Sequence, residues 1–589
     1  MKLSNIKYIA VSMLLSFTAT SCEDFLERPT EDDYVESNFY QNDEQCIQGV
    51  NGLYNSPWYD FQRGFIKVGE IMSGNEYMGD SPYLTFTVNS TDEDLVNMSY
   101  SLWAAVGRCN VVYNRLKTAT CSEAVRNQTM GECLAWKAFA YFFLVRSFGD
   151  VPIVHDNTEE LSSGEYATQP KIQKADVYEY IVLTLEKAME LLKDVKTPGN
   201  GRIDYYAAEA LLAKVYLTKS GVNAGGNGQR DAGDLQMAAK LAKDVIDNSG
   251  RTLLPNYSDN FRLTYNKNVE SLISWQWYTG RDPWTQQNTQ QSDLAMVGFD
   301  ELGDCWGQWR GPSVDLQEAF GVSALEDPAG RFDTDLRRKA TMMLPGDFYD
   351  YFWTDKTADN GKKGFNYIQF LYDTDYGKGG PGSGPGSGTC PTGANHVKHL
   401  YGDVYDHEQA LNVTPQIMAY GLATHILRLS DLYLVYAEAV IGNNTSTTDA
   451  SAIDAFYAVR GRSVPAASRP ASITWNDVWK ERRLELAMEG DRWYDFVRRS
   501  YYDLQGAINE LKSQHRNEYQ NLNDAYKNYY ESKYTNWNIG NAKYNNDASL
   551  IPNVTAASFS LPFPQEDVVF NKNLLNDPVH VDIRATYSY

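Results

Sequence analysis

Between residues 95 and 250 apolar positions recur three or four residues apart almost without interruption, the spacing of helices that each bury one face. The stripes predict helices over 102–116, 130–148, 177–192, 205–218 and 235–246. In the third, Val177, Ile181, Leu185, Ala188 and Leu192 fall on one line. Small residues at Ala135 and Ala138, and at Ala207, Ala208 and Ala210, permit close helix approach, so the segment reads as stacked antiparallel hairpins of the tetratricopeptide kind.

From 253 to 411 the pattern breaks into short runs rich in Gly, Pro, Asp and aromatics, and at 377–390 it becomes low-complexity. This predicts a loop-rich region with a few strands, Trp275 and Trp277 sharing the buried face of one of them. Helical spacing returns at 414–441, 448–461 and 475–501, the last placing Trp479, Leu486, Gly490, Trp493 and Val497 on one face. Trp103 and Trp136, on helices, read as core. The tail from 558 to 578 reads as extended, with Pro562 and Pro564 fixing its backbone.

The start of the chain is different in kind. Lys2 and Lys7 precede a short apolar stretch, and Ala19, Thr20 and Ser21 lead into Cys22, which resembles a lipoprotein signal over 1–21 with Cys22 as the lipidated first residue. This stretch is too short to span a bilayer as a helix, and no later window is apolar and long enough to do so. The mature chain then divides into a helical scaffold (about 22–250), a variable loop-rich region (about 251–411) and a C-terminal region (about 412–589). The remaining six cysteines contain no CxxC spacing and read mainly as buried thiols. At 589 residues and 43% apolar the chain can bury a large core, and a formal charge of −23 argues against nucleic acid, whose phosphates require a surplus of Lys and Arg.

Motifs along nearly the whole chain give a family resemblance: CEDFLERP (22–29), LWAAVGRCNVVYNRL (102–116), ECLAWKAFAYFFLVRSFGDVPIV (132–154), GRIDYYAAEALLAKVYL (201–217), ILRLSDLYLVYAEAV (426–440), AVRGR (458–462), KERRLELAMEGDRWYDFVRR (480–499) and LPFPQEDVVFNKNLL (561–575). They resemble the SusD/RagB family of surface lipoproteins that partner SusC-like TonB-dependent transporters in Bacteroidota. The resemblance implies a mainly α fold, a tetratricopeptide-type scaffold carrying a loop-rich ligand-binding region. It also implies an outer-membrane lipoprotein that captures an oligo- or polysaccharide and passes it to the transporter, with peptide capture, as in the RagB branch, as the alternative. Glu23 and Asp24 resemble the acidic export tag that places such lipoproteins on the cell exterior.

No residue pattern supports catalysis. The acids of 480–499 alternate with Arg and read as a salt-bridged helix surface rather than a glycosidase pair, which requires two carboxyls with divergent pKa values. His396, His399 and His407 lack a zinc-site pattern and read as loop histidines. The GxGxxG at Gly377, Gly379 and Gly382 is interrupted by Pro381 and precedes no helix. No cofactor is expected; the acids at Asp300, Glu301 and Asp304 or at Asp373 and Asp375 could hold a structural calcium ion, without EF-hand spacing. Aromatics constitute 13% of the chain. Trp58, Tyr59, Tyr83, Trp284, Trp306, Trp309 and Trp353 stand in loop-like surroundings, where a ring can stay open to stack on a sugar. GDCWGQWRG adds polar partners at Asp304, Gln308 and Arg310, and Asn75, Glu76, Asp80 and Tyr83 form a second cluster. The expected ligand site therefore comprises Trp58, Asp80, Tyr83, Trp284, Asp304, Trp306, Trp309, Arg310 and Trp353.

Overall fold

The computed structural model describes residues 39–589 apart from 159–162, 165–166, 280–286, 379–389 and 548–551. The leader, Cys22 and Trp284 lie outside the described residues. The helical stripes form the expected helices: α1 (Glu93–Lys117), α2 (Glu123–Phe148), α3 (Lys174–Leu192), α4 (Tyr205–Lys219) and α5 (Ala232–Asn248). Each packs against the next, and α1, α2, α4 and α5 begin at a Ser or Asp whose side chain accepts from a first-turn N–H.

The chain then leaves the stack at Asn248 and returns at α6 (Leu429–Ile441), which lies directly on α5. The loop-rich region is thus an excursion from one helix stack. Its neck is closed by β2 (Ser271–Trp275) pairing antiparallel with β4 (Thr424–Arg428). A second two-stranded ribbon pairs β1 (Glu76–Met78) with β3 (Arg310–Pro312), tying the excursion to the N-terminal part of the scaffold. One continuous apolar cluster runs from Cys46 to Ile583 beneath all of these elements.

Three expectations are corrected. Residues 424–428 are strand, because a short apolar run carries no decisive period and pairing with β2 decides its form. The helix expected over 475–501 is two, α8 (Trp475–Leu486) and α9 (Arg492–Ser500), following α7 (Ala450–Ser463). Between them Met488 and Gly490 take left-handed φ of 65° and 80°, and the freed carbonyls of Ala487 and Met488 accept from Lys398 Nζ (2.7 Å) and His399 Nε2 (2.6 Å). A side chain at Gly490 would collide with the Phe65 ring at 2.2 Å, and one at Gly69 would stand 2.1 Å from Gly490 O, so glycine at both positions permits this close approach. The tail is not simply extended, since Gln565–Phe570 is helical.

The charged helix is also not a surface. Glu481, Arg482, Glu485, Glu489, Arg492 and Asp495 are all buried. Glu485 meets Arg337 (3.0 Å), Arg428 (3.1 Å) and Arg462 (2.5 Å), while Arg482 meets Asp431 (2.5 Å) and Asp495 (3.1 Å). Lys214 of α4 bridges Asp431 and Asp491, both at 2.6 Å, and Arg146 of α2 reaches Asp491 at 3.0 Å. The network therefore joins the C-terminal helices to the N-terminal stack.

Candidate functional site

The β1–β3 ribbon builds the site. The chain leaves β1 after Met78 where it enters β3 at Arg310, so Asp80 and Trp309 stand at the same end of the ribbon. Ahead of β3, residues 304–309 lie flat on the helix Gln290–Leu294: Trp306 N donates to Ser292 O (2.9 Å) and Gly307 N to Ala295 O (2.7 Å). A Cβ on Gly307 would stand 2.3 Å from the Leu294 carbonyl carbon, so this close seating requires glycine.

Of the expected site residues, the structure leaves two rings open and buries most of the rest. Trp309 is 66% exposed and Trp306 39% exposed, and Asp80 is also exposed. Trp306 Nε1 donates to Asp293 Oδ1 (2.9 Å), and Asp293 is 3.7 Å from Arg63 Nε, so the indole is held edge-on by an ion pair. Neither Arg63 nor Asp293 was in the expected set; each sits in a short helix with nothing in its neighbours to mark it. Ile417, exposed on the turn whose Met418 N donates to Asp304, adds an apolar edge.

Trp58 is core: its ring stacks on Trp275 at 5.6 Å and its Nε1 donates to Leu53 O (2.8 Å). Trp353 is fully buried among Phe299, Phe365, Phe370 and Tyr376, its Nε1 donating to Phe299 O (3.0 Å). Tyr83 is buried and donates to Asp92 Oδ1 (2.7 Å), the carboxylate that caps α1. Arg310 is buried in an ion pair with Glu76, which His396 Nε2 also approaches at 3.4 Å. Burial alone would raise the Glu76 pKa, but Arg310 and His396 hold it at about 2. Asp304 is buried and accepts from Ser292 Oγ (3.1 Å), Met418 N and Tyr420 OH. These groups position the loop and present nothing to a ligand. Gly- and Asp-rich sequence marked loops correctly, but loops in this region are folded onto the same continuous core as the scaffold. Of the two helix tryptophans, Trp136 is core as expected, whereas Trp103 is only partly buried.

The three histidines are apart in function: His399 holds Met488 O, His407 accepts from Gly421 N (3.0 Å), and His396 faces Glu76. Asp373 is occupied capping its own turn, accepting from Asp375 N (3.0 Å) and Gln369 Nε2 (2.8 Å). Asp300, Asp304 and Cys305 do converge, with ligand atoms within 4.8 Å of one another. Glu301 turns away to Val404 N and Lys378. Two carboxyls and a thiol do not supply the six to eight oxygens that calcium takes, so the set does not fit that ion. It fits one shared proton: Asp304 Oδ1 has no partner among the described residues, and burial, then the charge of Asp304, pushes the Asp300 pKa up to about 7.

Because that pKa lies above the unfolded value near 3.9, the native state binds the extra proton and loses stability as pH rises from about 4 to about 7. Asp300→Asn, which places a neutral amide beside Asp304, is expected to stabilise the fold by about 1–3 kcal/mol at pH 8 and far less at pH 4. Thermal melts of both proteins across that range check this, and an equal effect at the two pH values would contradict it.

Comparison with known proteins places this architecture. The SusD family profile matches residues 323–580, and a second profile, described as starch-binding associating with outer membrane, matches 24–217. A SusD-like protein of Bacteroides ovatus is 32% identical over 98% of this chain and 97% of its own. SusD-like protein P2 of Formosa agariphila is 23% identical over 84% of this chain and 90% of its own. A crystal structure with xylogluco-oligosaccharide, 29% identical, covers 92% of this chain and 100% of its own at a TM-score of 0.74. A laminarin-binding SusD-like protein, 22% identical, shares the fold over 90% of this chain and 98% of its own at a TM-score of 0.58.

Proposed function

Because the chain belongs to the SusD family, we propose that it binds a glycan non-covalently at the face formed by Trp306 and Trp309, with Asp80, Gln308, Asp293 and Arg63 as hydroxyl partners. The carrying observation is that these two indoles are exposed on a loop whose underside is tied down by Asp304, Arg310 and Gly307. A sugar stacks its C–H face on such a ring and needs carboxylate, amide or guanidinium groups beside it, and no bond is made or broken. The xylogluco-oligosaccharide bound by a similar protein makes β-glucan-derived oligosaccharides the first ligands to test.

The family resemblance extends the proposal. Cys22 carries the lipid that holds the protein at the outer membrane, facing outward, and the captured glycan passes to a SusC-like TonB-dependent transporter. Isothermal titration of the purified chain against xylogluco-oligosaccharide, laminarin fragments and a panel of plant and fungal polysaccharides tests the binding. At least one is expected to bind in the micromolar to millimolar range, about −4 to −8 kcal/mol. Binding of peptides with no response to any glycan would replace this reading with the RagB-like one, and release of shortened products from a bound glycan would refute the non-catalytic role.

A further inference from the structure

On the C-terminal part of the scaffold, away from every residue of the aromatic face, α7, α8 and the loop 464–474 enclose a cavity of about 590 Å³. Four cations line it: Arg460, Lys480, Arg483 and Arg492. The lining carboxylates are already engaged. Glu481 is held by Arg337 (2.7 Å) and Arg460 (2.8 Å). Asp477 forms the capping box of α8, accepting from Thr474 N (2.8 Å) and Thr474 Oγ1 (2.7 Å). Glu510 is divided among Trp479 Nε1 (2.9 Å), Arg499 (2.5 Å) and Arg492 (3.3 Å).

Arg483 is paired with Asp315 (2.7 Å) and its Nε donates to Asn75 Oδ1 (2.8 Å), but Lys480 and Arg492 are less well matched. Lys480 is exposed at the rim, with no carboxylate in ion-pair reach among the described residues. Arg492 is 2% exposed, its contacts to Glu510 and Asp495 are long at 3.3 and 3.7 Å, and its Nε has no acceptor among the described residues. Burial draws its pKa down to about 10 even with those two carboxylates present. A buried guanidinium with too little negative charge near it is costly unless something supplies that charge. The excess is local, since the chain as a whole carries −23. Ser472 and Asn476 add neutral donors to the wall.

We propose that this cavity is a second binding site, specific for an oxyanion: a carboxylate, sulfate or phosphate group seated on Lys480 and Arg460, with Ser472 and Asn476 donating from the wall and Arg483 and Arg492 adding positive potential from behind. Charge-assisted bonds from fixed guanidinium groups suit such a group, and enclosure strengthens them. The anion has two sources with the same chemistry, a free inorganic ion or the charged group of an acidic sugar. The site shares no residue with the aromatic face and stands independently of the glycan reading.

The test is titration calorimetry of the whole mature chain at constant ionic strength, with sodium sulfate, inorganic phosphate and digalacturonate as separate probes and chloride as the balance. Saturable binding of at least one probe is expected, weakened about tenfold or more in Lys480→Gln/Arg460→Gln. Lys480→Arg is expected to retain it. Ser472→Trp, which fills the cavity from its exposed wall without removing a charge, is expected to abolish it, so loss does not depend on disturbing the ion network. Saturation by sulfate or phosphate identifies a free anion, and tighter binding of digalacturonate an acidic sugar. A protein with Trp306 and Trp309 both changed to Ala should retain the anion response in full. No saturable binding of any probe, or binding unchanged in both the double variant and Ser472→Trp, overturns the proposal.

Discussion

Changing Trp306 and Trp309 together to Ala is expected to weaken glycan binding by about 2–6 kcal/mol, enough to remove it from calorimetric detection, while the melting temperature stays within a few degrees of the parent. Each ring offers an open face, and each removed aromatic contact is worth about 1–3 kcal/mol. The fold should tolerate the change because the loop is held by other groups: Gly307 N on Ala295 O, Asp304 beneath Tyr420, and Arg310 on Glu76. Trp353→Ala provides the contrast, because that ring fills a fully enclosed aromatic cluster and its loss should cost about 3–5 kcal/mol of stability. If the double variant melts like Trp353→Ala, or binds its glycan as the parent does, the aromatic face is not the site.

A comparably large effect on stability is expected at Glu485. Its carboxylate is wholly buried and contacted by Arg337, Arg428 and Arg462. Burial alone would raise its pKa, but those three guanidinium groups hold it far below the ordinary carboxylate range. Glu485→Ala removes the shared counter-charge of three buried cations, so unfolding free energy should fall by about 3–5 kcal/mol, read from the urea midpoint. Glu485→Gln keeps the shape and loses the charge, and should fall nearly as far. The linkage has a definite sign: with the native pKa depressed, the stabilisation is present above the unfolded value near 4.3 and is lost as pH falls toward the native one. The parent should therefore lose stability below about pH 4 more steeply than Glu485→Gln does. A loss under 1 kcal/mol on changing Glu485 to Ala would mean that solvent or a neighbouring acid compensates.

The helix stack was legible because its signal is local. A stripe such as Val177, Ile181, Leu185, Ala188 and Leu192 needs only the 3.6-residue period to declare a buried face, and the structure forms α3 there. The stripes do not mark where a helix starts: α1 and α2 begin at Glu93 and Glu123, ahead of the expected 102 and 130, because Asp92 and Ser122 cap them there. The open pair Trp306 and Trp309 was also legible, because glycines on both sides leave few neighbours to cover the rings. What escaped depends on residues far apart in sequence. Trp58 meets Trp275, Trp353 meets Phe299, and Arg310 meets Glu76, and no local pattern separates such a buried aromatic or arginine from an exposed one. Asp293 and Arg63 join the site only because one helix lies under the loop and another beside it.

By itself the sequence determined most of the helices, the scaffold they stack into and the family they belong to, since periodicity and motif order are written along the chain. Tertiary structure alone decided which charges and rings face solvent. The acids and arginines of 480–499 show helical spacing whether buried or exposed, and only the arrival of Lys214, Arg337, Arg428 and Arg462 from other elements makes burial affordable. Burial is a property of the partner that arrives, and these partners come from other elements, 23 to 277 residues away.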